Sequence, residues 1–317
     1  MTLRALALLI VIPALLPAGA SAQARPRDFD AFWNEAKRDL AAVPMDAQVA
    51  PDAEHTDAHV ACFKVRYASL NREIHARYCR PARDGKFPAV LINPWDSQGA
   101  IAAPTEWAKR GMAALWYQAR GFEVDRSTYP LANSVYVLDG IDAPGSYVYR
   151  EIAAHGLRGL DFLAARPEVD VKRLGVAGAG QGGGLSLLLA GLDPRISAVS
   201  ADAPFLTDWP ESLTAENPPY ADVRKYLAEH KAKRAAAKRT LTYFDTLDVA
   251  GRLRGPVFVQ AALKDRTCPP GGIEKLYRRI PSRRKLWKAY PDADHTDEGP
   301  ARWKAAQDFL ADALGAR

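Results

Sequence analysis

Leu174-Gly175-Val176-Ala177-Gly178-Ala179-Gly180-Gln181-Gly182-Gly183-Gly184 decides how this chain is read. A short apolar run, fit for a buried strand, passes into a glycine-rich turn and then into an apolar helix over Gly183 to Leu192. That is the setting of the G-x-S-x-G turn, in which a sharp strand-to-helix bend lifts a nucleophile above a sheet. Gly178 and Gly182 are the flanking glycines at the right spacing, and the central residue is Gly180. Glycine removes the hydroxyl and takes up the unusual dihedrals of such a bend at no steric cost. The turn is therefore expected to keep its shape without its reactive atom. The rival reading is a phosphate-cradling loop. It fits poorly, because the G-x-G-x-x-G spacing is wrong, two sheet strands come earlier, and no GK[ST] follows.

Outward from this turn the chain alternates. Ala89-Val90-Leu91-Ile92, Ala113-Ala114-Leu115-Trp116, Val257-Phe258-Val259 and Lys285-Leu286-Trp287 are short apolar runs, separated by helical stretches that include 148–165 and 303–316. Apolar strands alternating with helices predict an α/β fold: a mostly parallel sheet covered on both faces. Asp28 to Leu40 reads as an amphipathic helix capped by Asp28, with Phe29, Phe32, Trp33, Ala36 and Leu40 on one face. Residues 208–239 fit the alternation least. Their prolines and a charged helix over 221–238 predict a small cap inserted in a single domain spanning 23–317.

Before the alternation, His59 to Ser69 and Glu73 to Arg80 read as two strands around a turn at Leu70-Asn71. In a hairpin centred there, Cys62 lies opposite Cys79. Directly opposed residues sit about 4.5–5.5 Å apart at Cα, a span a disulfide bridges. An oxidising compartment favours the bond over two buried thiols. Cys268 is left over, in a context that reads as structural.

Two further residues carry chemistry. Asp265 follows the run Val257 to Gln260, and His295 follows the run at Lys285. Alone, the first reads as a turn cap and the second as a surface histidine. In the order elbow, aspartate, histidine, each after a strand, they read as the acid and base of a triad in the chain order of α/β hydrolases.

Several motifs now fall in sequence: Asp28-Phe-Asp-Ala-Phe-Trp33, Pro144-Gly-Ser-Tyr-Val-Tyr-Arg150, Pro167-Glu-Val-Asp170, Asp202-Ala-Pro-Phe-Leu206, Thr240-Leu-Thr-Tyr-Phe-Asp245 and Asp265-Arg-Thr-Cys-Pro-Pro270. With them the chain resembles the acetyl xylan esterases and cephalosporin-C deacetylases, a branch of the α/β hydrolases, over nearly all of its length after the leader described below. The resemblance implies a catalytic triad of a serine, Asp265 and His295, with the serine's place taken by Gly180. It implies oxyanion donors from the backbone of Gln181 and Trp95, and no cofactor. It puts Trp209, like Trp95, near the pocket, where an indole stacks on a sugar, although core packing suits it equally. It also implies a homo-oligomer. Departures from the family gather at the site: its HGY turn reads Asn93-Pro94-Trp95, its RGQ motif Arg120-Gly121-Phe122, and its HE pair His295-Thr296.

The expected function is hydrolysis of small acyl esters of carbohydrates, with three accounts of Gly180. It is an engineered replacement, or the mark of a pseudoenzyme that binds a carbohydrate or acyl ligand, or part of an altered site in which His295 activates water. The changes beside it argue against the first. Ser97 and Ser186 are the nearest substitute nucleophiles in sequence, Ser97 the better placed.

The remaining features set limits. Arg4, the apolar run Ala5 to Leu16 and Ala20-Ser21-Ala22 read as a signal peptide over residues 1–22, which predicts a periplasmic or secreted protein. That run is too short and too interrupted by Pro13 and Pro17 to be a membrane anchor. A net charge of +6 in 317 residues is mild and comes with no nucleic-acid motif. Arg224 to Arg239 and Arg278 to Lys288 read as solvated helix faces. No His, Cys or carboxylate spacing predicts a metal; His55 and His59 sit in a loop context.

Overall fold

Alternate residues of one central strand enter two different cores. Ala89 and Leu91 join the larger apolar cluster, while Val90 and Ile92 join the smaller one. Successive strand residues face opposite sides, so a strand buried on both faces has to be apolar throughout, as Phe87–Ile92 is. The computed structural model describes residues 25–95, 102–119, 135–297 and 299–316. The leader assigned to 1–22, together with Ser97 and the Arg120-Gly121-Phe122 motif, lies outside these.

Nine strands form one sheet: β1 (Gln48–Pro51), β2 (Val60–Ser69), β3 (Arg72–Pro81), β4 (Phe87–Ile92), β5 (Ala113–Tyr117), β6 (Val169–Ala179), β7 (Ile196–Asp202), β8 (Val257–Ala262) and β9 (Lys285–Tyr290). Their order is β1-β2-β3-β5-β4-β6-β7-β8-β9. The first three and the β3–β5 pair run antiparallel, and from β5 through β9 the pairing is parallel. The helices are α1 (Phe29–Ala41), α2 (Thr105–Lys109), α3 (Val148–Ala164), α4 (Gln181–Leu192), α5 (Trp209–Ser212), α6 (Tyr220–Glu229), α7 (Arg234–Thr242), α8 (Leu247–Ala250), α9 (Pro270–Arg279) and α10 (Pro300–Ala313). Residues of α1, α3, α4 and α8 fill the larger core on one face, and those of α2 and α10 the smaller core on the other. This is the α/β-hydrolase architecture. No described helix is long and apolar enough to cross a membrane.

In the β2–β3 hairpin, Cys62 pairs with Cys79 in register and a disulfide joins them. The turn runs through Leu70 at φ 45°.

Two local expectations are corrected, and one strand is added. The single charged helix over 221–238 is two helices, α6 and α7. Tyr220, Val223 and Leu227 form the buried stripe of α6, whereas α7 buries Ala237, Thr240 and Leu241. At 3.6 residues per turn the second set is out of phase with the first, so the chain breaks at 230–233 to bury both. Asp28 stands at the start of α1 but makes no side-chain cap. Its carboxylate instead accepts from the Tyr243 hydroxyl at 2.6 Å. Finally, Ile196–Asp202 is a central strand that the sequence does not announce. Its interior, Ala198-Val199-Ser200-Ala201, carries two alanines and a serine; β6 and β8 flank it in the sheet, and α4 and α10 pack against it.

Candidate active site

The parallel strands end on one edge of the sheet, and the site is assembled there from the loops that follow β4, β6, β8 and β9. β6 enters α4 through Gly180, whose φ of 51° and ψ of −118° lie in a region essentially reserved for glycine or for strained functional residues. Its N–H donates to the Asp202 carbonyl at 2.9 Å, and its carbonyl accepts from Gly184 at 3.1 Å and Phe205 at 2.9 Å. The bend is packed backbone against backbone. A Cβ on Gly182 would come within 2.2 Å of the Asn93 carbonyl oxygen, and one on Gly178 within 2.2 Å of the Gly182 carbonyl carbon. Gly180 is different: the nearest atoms to a Cβ there would be His295 Cε1 and Nε2, at 3.6 Å, and the Trp95 carbonyl oxygen, at 3.9 Å. The absent side chain would point at the imidazole.

His295 lies beyond β9 and Asp265 beyond β8. The two loops are tied together by the Lys264 N–H, which donates to the Ala293 carbonyl at 3.0 Å. Asp294 braces the turn, accepting the Thr296 N–H at 2.8 Å and its hydroxyl at 2.7 Å. Asp265 is buried, and its Oδ2 lies 2.8 Å from His295 Nδ1. Cys268, also buried, acts on the same imidazole and favours its charged form. Burial works to lower the imidazole pKa, but the Asp265 carboxylate and the Cys268 sulfur overcome it and hold the value up to about 11. The shift favours the imidazolium, which donates at Nε2.

Gln181 opens α4, and the first N–H groups of a helix have no acceptor within it. Its side chain is fixed: Oε1 accepts from the Tyr149 hydroxyl at 2.8 Å and from the Tyr136 hydroxyl, and Nε2 donates to the Pro94 carbonyl at 3.4 Å. Pro94 precedes Trp95, so the loops bearing both implied oxyanion donors are joined. Trp95 is 42% exposed at the rim.

Trp209 is buried in the core. It is 2% exposed and packs edge-on against Phe205 and Tyr220, with ring centroids at 5.5 and 5.0 Å. Its indole is core, so a sugar cannot reach it. Ser186 is likewise engaged: its hydroxyl donates to the Gly182 carbonyl at 2.7 Å and accepts from Asn93 Nδ2 at 3.0 Å. Among the described residues one His and carboxylate group is close enough to share a cation, Asp52, Glu54 and His55. Arg77 Nη1 donates to Asp52 Oδ2 at 2.8 Å and lies 2.7 Å from His55 Nδ1, so a guanidinium already occupies that group.

Sequence reasoning missed several neighbours. Tyr136 belongs to no motif of the sequence, and the context of Cys268 reads as structural. Asp202, whose carbonyl holds Gly180, forms a buried ion pair with Arg302, and burial raises its carboxyl pKa despite that partner. Arg302 in turn lies over the Tyr290 ring, 4.9 Å from its centroid. These partners sit up to a hundred residues apart in the chain, so no local pattern points to them.

Comparison with known proteins gives one consistent answer. Over residues 16–312 the chain matches a family model described as acetyl xylan esterase (AXE1). It is 27% identical, over 261 residues, to the acetyl esterase Axe7A of Xylanibacter ruminicola; the match takes in 77% of this chain and 58% of that protein's length. Its structure is similar to that of the acetyl xylan esterase from Paenibacillus sp. R4, with a TM-score of 0.82 and 30% identity over 91% of this chain and 95% of the other. Acetyl xylan esterase 1 from Thermoanaerobacterium sp. JW/SL YS485 is similar at a TM-score of 0.79 and 26% identity, over 91% and 94% of the two chains. With a family match running almost from end to end, this chain belongs to the acetyl xylan esterase family.

Proposed function

We propose that this protein binds acetylated carbohydrate at the Gly180–His295 site and turns it over slowly, as a member of an esterase family that has given up its nucleophile. The observation that carries this reading is the open 3.6 Å approach between the Gly180 Cβ position and His295 Nε2, a gap where a side-chain oxygen would have to be. The upward shift of the His295 pKa supports it. An imidazolium offers Nε2–H to a ligand oxygen but does not draw a proton from water or a hydroxyl. The elbow backbone, the Gln181 helix terminus and the Asp265–His295 pair still suit an ester carbonyl. A serine at position 180 would attack that carbonyl, with neutral His295 taking its proton and backbone N–H groups of Gln181 and Trp95 receiving the oxyanion. Export to an oxidising compartment, which the Cys62–Cys79 bond supports, would bring the protein to extracellular polysaccharide.

The test compares hydrolysis of an aryl acetate and of acetylated xylo-oligosaccharide by the parent and by Gly180→Ser. Acyl-transfer sites stripped of their triad keep roughly 10³–10⁴-fold acceleration over water, and the parent should fall at or below that level. Gly180→Ser should exceed the parent by about a hundredfold or more at alkaline pH. A parent already at ordinary enzyme rates would sink the proposal and direct attention to water or another nucleophile.

A further inference from the structure

Beside this site, between Trp95 and α10, lies an open groove of about 710 Å³ that the chemistry above does not use. It is within the size range of small-molecule sites. Trp95, Thr296, Trp303 and Gln307 line it, with Arg110 and Lys304 at its rim. It touches the site at two points: Thr296 follows His295, and the carbonyl of Trp95 faces the Gly180 Cβ position at 3.9 Å.

The walls are aromatic and held in place. Trp95 meets Trp116 edge-on at 5.4 Å, Trp116 lies 6.2 Å from Trp303, and Trp303 meets Trp107 edge-on at 6.2 Å. The inner two indoles fix the outer two, so little side-chain freedom is lost when a flat ligand settles against Trp95 and Trp303. Aromatic faces pack against apolar ring surface, and pyranose rings carry such C–H faces. Gln307, at the floor, offers both a donor and an acceptor, matching a sugar hydroxyl.

The rim charges are spent on one another. Arg110 pairs with Glu106 at 3.6 Å and with Asp308 at 3.3 Å. Lys304 pairs with the same Asp308, and Lys109 with Glu106 at 2.8 Å. An anionic ligand would have to break these pairs, whereas a neutral one leaves them intact. An apolar face, one amide and, among the described residues, only charges that are paired with one another together suit an uncharged sugar.

We propose that this groove holds the neutral pyranose chain that carries the ester, with one ring stacked on Trp95 and Trp303. The proposal rests on the carbohydrate-ester reading above and makes it more specific. The protein recognises a chain that extends away from the reacting acetyl group, towards α10.

The test is isothermal titration calorimetry with unacetylated xylohexaose, which has no ester and needs no turnover. The parent should bind it saturably. Trp303→Ala should weaken binding by about tenfold, the scale of one aromatic contact, and Trp303→Phe should retain part of the affinity. Because Trp303 packs on Trp107 and Trp116, Gln307→Leu serves as a second variant and should weaken binding by a few-fold. A xylo-oligosaccharide bearing a uronic acid should bind no more tightly than the neutral one. The absence of any binding by the parent at millimolar xylohexaose overturns the proposal. So does undiminished affinity in both Trp303→Ala and Gln307→Leu, or in Gln307→Leu alone if Trp303→Ala does not fold. Tighter binding of the uronic acid overturns the neutral-ligand assignment. A parent that hydrolyses aryl acetates fast would defeat the reading of Gly180 and leave this binding result standing.

Discussion

Asp265 holds His295 from one side while its own loop holds Asp265. Oδ2 lies 2.8 Å from His295 Nδ1, and Oδ1 accepts the N–H groups of Thr267 and Cys268, each at 2.8 Å. The imidazole is thereby turned so that Nε2 faces Gly180. Its orientation is preserved although no hydroxyl awaits it.

The first prediction concerns that imidazole. With its pKa raised from 6.5 to about 11, the folded state gains stability from His295 that is fully present below pH 6.5 and is lost as pH rises through the alkaline range. A His295 ring-proton titration by NMR should therefore show a midpoint far above 6.5. In Gly180→Ser, ester hydrolysis should rise with pH along the same curve. Cys268→Ser removes one of the two groups holding the proton, so it should move both midpoints down. A parent midpoint near 6.5 would remove this account of the resting site.

The second prediction separates two glycines of one turn. Gly182→Ala drives a methyl to within 2.2 Å of a backbone oxygen, and such overpacking costs about 1–3 kcal/mol or more. The Cβ of Gly180→Ser meets nothing closer than 3.6 Å, so its cost is the strain of its backbone angles, about 1–3 kcal/mol. Urea denaturation should rank the parent above Gly180→Ser and Gly180→Ser above Gly182→Ala. The opposite ranking of the two variants would mean the turn is not packed in this way.

A third prediction rests on the hairpin. The disulfide closes a loop with a sequence separation of 17, for which loss of chain entropy in the unfolded state gives about 3 kcal/mol. The double variant Cys62→Ala/Cys79→Ala should lose most of that, with a matching fall in Tm. Dithiothreitol should destabilise the parent and leave the variant unaffected.

The fourth is an acid limb. His155 on α3 is fully buried beside Ser69, its Nδ1 2.9 Å from the hydroxyl oxygen. Burial, helped by Arg72, lowers its pKa to about 3. A histidine neutral when folded and protonated when unfolded contributes stability above pH 6.5 that falls away between 6.5 and 3. By pH 5 the loss is about 2 kcal/mol. Denaturation of His155→Leu at several pH values should show a flatter profile over that interval; parallel profiles would clear His155 of the effect.

How much of this was visible in the sequence differs from residue to residue. The elbow was legible because the bend leaves no room for side chains at Gly178 and Gly182, and glycine spacing is a local mark. Asp265 and His295 were legible by their order after strands. β7 was not, since a strand of small residues between two others carries no apolar run of its own. The break between α6 and α7 was hidden because charge dominates that stretch and masks a shift in the buried stripe. Trp209 shows a different limit: an indole near a site and an indole in the core have the same sequence. Cys268 and Tyr136 reach His295 and Gln181 only after the fold has closed.

Gly180 has a further consequence, for the history of the molecule. Its neighbours in the turn are locked by backbone contacts, whereas position 180 alone stands free towards His295. Some glycine codons become serine codons by a single base change. On the function proposed above, a loss of the hydroxyl here would be the kind of step a lineage can retrace. The rest of the elbow, held for packing at Gly178 and Gly182, would keep the way back open.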